Sequence, residues 1–328
     1  MPGSGRAVPL SLLVFALSAF TGACAPEKPA PAPPAQAPEG WAEEVRAWQE
    51  ERAASLQEPG DWLSMVGLHW LDEEGESTVG SAPENDLVFA APAPPRAGTF
   101  HREGDAVRVE AAPGVELRRA VGASDEGLDF TVTGDPVPEL TLAPDTSGDP
   151  TVVALGSLRF WLIERGDRLG ARVLDLESPA LAAFEGLEYF PVDPVWRVEG
   201  RLERAEDLTV MVPNVLGQVS EEPTPGPVVF RLPGADEEHR LLPTVAGDGE
   251  LFLVFGDGTN GHETYGGGRF LYADPPGPDG RVILDFNRAY NPPCAFTPYA
   301  TCPLPPKENE LPVRIEAGEK AYAGAVPH

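Results

Sequence analysis

Two stretches in the last third of the chain gather the residue types that do chemistry. The first runs Gly256-Asp257-Gly258-Thr259-Asn260-Gly261-His262-Glu263-Thr264-Tyr265-Gly266-Gly267-Gly268-Arg269. Glycines at 256, 258 and 261 after an apolar strand match a dinucleotide-phosphate loop in form, but that loop needs a helix next to hold the pyrophosphate. Three glycines at 266–268 and a following strand leave no such helix, so a nucleotide site is excluded. Asp257, Thr259 and Asn260 offer oxygens of the kind calcium takes, without the later carboxylate that completes a calcium loop. A Gly-rich hairpin loop explains the same residues. The second stretch starts at Asp285-Phe286-Asn287 and runs through Asn291-Pro292-Pro293-Cys294 to Cys302-Pro303 and Asn309. An apolar strand, 282–284, delivers Asp285, Asn287 and Asn291 into a proline-locked loop, and loops on a rigid scaffold are where sites tend to sit. Asn and Asp capping tight turns would place the same residues there for structural reasons.

The surrounding composition limits the partners. In 328 residues there are 52 acids and 24 bases, a net charge of −28. Such a surface repels nucleic-acid phosphates and anionic lipid headgroups, so nucleic-acid and polybasic membrane binding are excluded. Little of the excess falls in the last third, which instead holds five of the six tyrosines.

Residues 1–23 read as an export leader. Arg6 precedes an apolar run, Val8 to Phe20, of a length suited to a signal core and short for a membrane span. Thr21-Gly22-Ala23-Cys24 resembles the lipidation box of bacterial lipoproteins, with Thr21 where that box usually has Leu. This predicts a lipidated Cys24 and a chain exported to the cell envelope, facing the periplasm, that touches the membrane through the anchor only. Residues 24–38 form a tether: prolines at 26, 29, 31, 33, 34 and 38 favour an extended chain. At ~3.1 Å per residue the stretch 25–38 reaches roughly 43 Å. In an exported chain, Cys294 and Cys302 are expected to form a disulfide, whose short ring would contribute ~2.6 kcal/mol. No second Cys or His pair stands at zinc-ligand spacing, a Cys nucleophile would have only His69 or His262 as partner, and no cofactor motif is present.

The elements that must position these residues are mostly strands. Trp41, Val45, Trp48 and Leu56 recur at helical spacing and predict one amphipathic helix over 39–57, packed as a lid with the tryptophan-rich segment 61–71. Short apolar runs separated by turn residues then predict strands at 87–89, 99–102, 107–109, 128–132, 152–155, 158–163, 169–174, 196–202, 208–212, 228–232, 251–255, 269–272, 282–286 and 311–315. Arg165-Gly166-Asp167-Arg168 reads as a hairpin turn rather than an adhesion motif, and 179–184 as one helical turn. The fold class expected is mainly β, an antiparallel sandwich or barrel-like domain over 39–320, with a tail at 321–328 and a possible division near 221–227.

Trp62-Leu63, Gly67-Leu68, Trp70-Leu71, Thr264-Tyr265, Gly268-Arg269-Phe270-Leu271, Asp285-Phe286-Asn287, Asn291-Pro292-Pro293-Cys294 and Cys302-Pro303 resemble the bacterial and archaeal family catalogued as domain of unknown function number 1684. Arg165, Arg172, Asp175, Phe184-Glu185-Gly186 and Ala317-Gly318-Glu319 fit it as well. The resemblance covers about 45–320 and implies a shared fold, without an activity.

Three functional readings follow from the polar set. In the first, Arg165, Arg172, Tyr265, Arg269, Asn287 and Asn291 bind a small polar or anionic molecule, the arginines clamping a carboxylate, phosphate or sugar acid. In the second, Asp257, Asp285 and Glu319 supply the acid–base pair of a hydrolase. In the third, the set forms buried ion pairs in a structural envelope lipoprotein. The first two require the side chains to converge on an accessible hollow.

Overall fold

A computed structural model gives the fold. It describes Gly3 and residues 37–324 apart from 91, 122, 125, 126, 129, 233, 234 and 236. The expected leader, Cys24, the tether as far as residue 36 and tail residues 325–328 lie outside the described residues.

The chain is mainly β. Its sheets are open and, apart from one parallel pairing of Gly75–Gly80 with Leu87–Val88, antiparallel. A six-stranded sheet runs in the order Met65–Trp70, Arg168–Asp175, Leu158–Arg165, Val152–Leu155, Leu117–Ala120, Val132–Val137. A five-stranded sheet runs Glu139–Leu142, Ala106–Ala111, Gly98–Glu103, Gly75–Gly80, Leu87–Val88. The two share one apolar core. Phe160, Leu162, Ala171 and Val173 face Val79, Phe100, Val107, Val109 and Leu140 across it. Alternate residues, Trp161, Ile163 and Leu174, meet Phe130 and Val152 on the other face of the larger sheet. The two-residue period explains why Leu158 to Ile163 reads as one apolar run: it is buried on both faces. Arg165 to Arg168 is the hairpin turn expected, with Gly166 at φ 62°.

A second core lies between a four-stranded sheet (Glu238–Leu241, Val228–Arg231, Arg197–Leu202, Arg281–Asp285) and a three-stranded one (Thr244–Ala246, Glu250–Phe255, Arg269–Ala273). Leu311, Ile315 and Ala317 complete it. The strand expected over 311–315 does not form. This segment instead follows residues 256–258 through single bonds, Leu311 N–H to Gly256 O and Gly258 N–H to Val313 O. The strand expected over 128–132 also differs: the regular strand there begins at Val132.

The helix α1, Trp41–Leu56, forms where expected and buries Trp41, Val45 and Leu56. Although N-terminal in sequence, it docks on the C-terminal region. Trp41 Nε1–H donates to Asp285 Oδ2 at 2.6 Å, and Arg52 donates to Glu319 and to the Asn291 carbonyl. Trp62, Leu63, Phe184, Ala295 and Phe296 pack beneath its last turn, but the rest of the tryptophan-rich segment is not part of a lid: Met65–Trp70 is an edge strand of the six-stranded sheet. None of the described helices is long and apolar enough to cross a membrane.

Candidate functional site

Most of the polar set converges, but on a piece of its own chain. Residues Ile315 to Lys320 run through the middle of it. Arg269, fully buried, donates to the carbonyls of Ile315 (3.0 Å) and Ala317 and ion-pairs with Asp257 at 2.5 Å. Asp257 Oδ1 accepts from Thr259 N–H and Thr259 Oγ1, both at 2.7 Å, and from Ile315 N–H. Asn291 Nδ2–H donates to Lys320 O, and Glu319 N–H to Ala289 O. Gly318 has φ 78°, and a β-carbon there would run into the Ala289 and Phe286 carbonyls, so only glycine fits.

This geometry corrects the sequence reading of several residues. Asp257 and Arg269 form a sealed ion pair, with both side chains wholly inaccessible; burial draws the Arg269 guanidinium down, against the pull of Asp257. Asp285 caps the short 3-10 turn at 286–288 through Asn287 N–H and binds Trp41. Asn287 bridges to Asp193, donating to its carbonyl at 3.0 Å and accepting from its N–H at 2.9 Å. Neither Asp257 nor Asp285 is a free acid or base. The Gly-rich loop is closed by its own side chains: Asn260 Nδ2–H donates to Tyr265 O, and Thr259 bonds Thr264. Tyr265 donates from its hydroxyl to Cys294 O at 3.3 Å, and burial pushes that hydroxyl up to about 12.

Arg165 and Arg172 do not join this set. They stand on the outer face of the six-stranded sheet, where both donate to Thr301 Oγ1. The bridge expected between Cys294 and Cys302 is absent. Both are buried thiols, with Cys294 N–H donating to Cys302 Sγ at 3.1 Å. A 3-10 turn, Ala295 N–H to Pro292 O and Phe296 N–H to Pro293 O, brings the pair together without a covalent bond. The hydrogen bond from Cys302 draws the Cys294 thiol down, and the same coupling together with burial pushes Cys302 up. Among the described residues, no three His, Cys, Asp or Glu side chains cluster as a metal site.

One edge of the converging set reaches a hollow. Glu319, fully buried, accepts from Arg52 Nε–H at 2.8 Å. Burial pushes its carboxyl above the usual carboxylate range, opposed by Arg52 and Asn291. The Arg52 guanidinium also donates to Asn291 O and lies 4.4 Å from the Tyr290 ring centre. On its outer side, Arg52 lines a groove of 570 Å³ with Trp48, Glu51, Tyr272, Asp274, Glu250, Arg288 and Tyr290. Tyr272 and Tyr290 stack at 6.4 Å and 11°, and Trp48 meets Tyr290 edge-on. Burial pushes both phenols up, so they remain neutral donors and acceptors at physiological pH. The groove thus offers aromatic surface, three carboxylates and two guanidinium groups, one of them, Arg52, already balanced by Glu319. Among the described residues the Arg288 side chain has no hydrogen-bond or ion-pair partner, and it is half-buried at the wall.

Sequence reasoning missed Trp48, Arg52 and Arg288. The first was read as part of the lid, and a polar residue on an exposed helix face carries no spacing signal for a site built with elements more than two hundred residues away.

Residues 182–320 match the model of a family described as "Protein of unknown function (DUF1684)". That part of the chain, less than half of its length, is similar to this family. The matched stretch holds Cys294 and Cys302, the Ile315–Lys320 segment and one wall of the groove, with Tyr272, Arg288 and Tyr290. The other wall, Trp48 and Arg52 on α1, and the Arg165–Arg172 pair lie outside the matched residues. An uncharacterized protein of Haloarcula marismortui, solved by solution NMR, is 32% identical over 44% of this chain and 80% of its own, with a TM-score of 0.36. No curated protein matches the chain.

Proposed function

We propose that the chain binds a small acidic sugar or a similar ring-bearing polar anion in the groove between α1 and the Tyr272–Tyr290 pair. The observation that carries this reading is the lining. Aromatic faces that stack a ring, carboxylates that accept hydroxyl protons and an unpaired Arg288 that takes a carboxylate stand together around one open hollow. The Asp257–Arg269 pair and its neighbours serve the groove indirectly. They hold Ile315–Lys320 in place, and that segment presents Glu319 to Arg52. No pair of accessible carboxylates from Asp257, Asp285 and Glu319 supports hydrolysis. A thermal-shift screen of uronic acids and their neutral parent sugars on the mature protein tests the reading. Stabilisation by the acids, lost in Trp48→Ala and Arg288→Gln, is expected; stabilisers that act equally on both variants would refute it.

The same proposal places the domain outside the cytoplasm. The apolar run at 8–20 and the small residues before Cys24 support export and lipidation, and the proline-rich segment would then hold the groove clear of the membrane. Metabolic labelling with a fatty acid should mark the wild type and spare Cys24→Ala.

A further inference from the structure

A second polar hollow lies on the outer face of the six-stranded sheet. Strand alternation puts Arg172 on this face, directly opposite Trp161 in the register. Its neighbours there, Phe130, Val152 and Trp161, are apolar, and Phe130 and Trp161 stack at 5.9 Å and 29°. Together with Asp145 these residues line a cavity of 290 Å³, at the lower end of the ~300–1,000 Å³ common for ligand sites.

Arg172 is poorly satisfied for its depth. It is 7% exposed, its Nε–H has no partner, and the one hydrogen bond it donates, to Thr301 Oγ1, is long at 3.4 Å. Arg165 stands beside it, and among the described residues the carboxylate facing the two is Asp145, which bonds Arg165 at 2.7 Å. Two guanidinium groups therefore share one carboxylate at a buried place. Burial, and next the repulsion from Arg165, draw Arg172 down to about 10, with Asp145 and the two thiols acting the other way. A buried cation with a free donor and a surplus of positive charge is a site for an anion, because burying an unpaired charge is otherwise costly.

We infer that this cavity binds a small monocarboxylate with a flat apolar body, its carboxylate on Arg172 and its body against the wall formed by the stacked Phe130 and Trp161. The class follows from the walls. One polar end has room for a single anionic group, Asp145 opposes a second negative charge, and the rest is aromatic and aliphatic. The site is independent of the groove and of the acidic sugar proposed there.

Benzoate, with benzamide as its uncharged counterpart, is the probe. Calorimetric titration of the full chain should show saturable binding of benzoate and none of benzamide. Arg172→Gln should weaken benzoate by about tenfold or more, the loss of one charge-assisted contact. Benzoate binding that survives Arg172→Gln and is lost in Arg288→Gln would move the anion to the groove and overturn the inference. Should Arg172→Gln fail to fold, crystals of the wild type soaked with 4-bromobenzoate decide. An anomalous bromine peak in the cavity lined by Phe130, Trp161 and Arg172 supports the site, and soaked crystals without one there refute it.

Discussion

Replacing Arg52 with Met tests the link between the groove and the polar set beneath it. In the wild type the Glu319 carboxylate is wholly buried, and Arg52, 19% exposed, is its ion-pair partner. Removing one partner of a buried pair costs about 3–5 kcal/mol, because the other charge is left in a poorly solvating place. Met preserves most of the side-chain volume, so little of the loss comes from a void. Partial exposure of Arg52 argues for the lower end, while the lost contact with the Tyr290 ring adds about 0.5–1 kcal/mol. About 3–4 kcal/mol is therefore expected at neutral pH. The pH dependence identifies the cause. Burial already raises the Glu319 carboxyl, and removing Arg52 raises it further. Between the ordinary carboxylate value and the raised one, the folded state keeps a proton that the unfolded state has released, so stability falls as pH rises through that window. Arg52→Met should lie nearer the wild type at about pH 5 than at about pH 8, with a relative slope of up to about 1.4 kcal/mol per pH unit inside the window. Adding Glu319→Gln should restore most of the loss at neutral pH. Urea denaturation at the two pH values measures all of this. An equal loss at both, or no recovery in the double variant, would show that Glu319 is not the charge Arg52 balances.

Further outcomes follow from the same geometry. Arg269→Met should cost about 3–5 kcal/mol in urea denaturation, and combining it with Asp257→Leu should cost clearly less than the sum of the two single changes; additive losses would deny the pair. Gly318→Ala should lower stability by at least about 2 kcal/mol, since it adds a β-carbon against two carbonyls at φ 78°, whereas Gly148→Ala, in open space at φ 79°, should show the smaller cost of backbone strain alone. Cys294 and Cys302 are free thiols in this structure but lie in contact, so in protein recovered from an oxidising compartment they should close one disulfide, seen as the loss of two hydrogens and resistance to alkylation until reduced; two thiols alkylated after unfolding without a reductant would contradict it.

The fold was legible where one physical signal dominated. Trp41 and Val45 at helical spacing gave α1 to within about two residues at each end, and the alternation from Leu158 to Leu174 around Arg165–Arg168 gave the central hairpin. Leu311 to Ile315 misled because its apolar residues do fill a core, while its backbone bonds go to side chains and single carbonyls rather than a ladder. The polar set was legible as a group that meets, since Arg269, Asn291 and Glu319 all gather around 315–320. What it surrounds was not legible. A guanidinium that binds a ligand carboxylate and one that binds its own chain's carbonyls look alike in sequence, and only the fold tells them apart. The groove was hidden for a related reason: its walls come from residues 48–55 and 250–290, brought together by the docking of α1 on Asp285 and Glu319.

The most direct test of the groove is a fluorescence titration of the full chain with galacturonate, following Trp48 by difference against Trp48→Phe. A saturable change that belongs to Trp48, accompanied by about tenfold weaker binding in Arg288→Gln, is the predicted result. Binding of an acidic sugar that leaves Trp48 unaffected and ignores Arg288, or a flat response to every uronic acid tried, would contradict the placement of the site between α1 and the tyrosine pair.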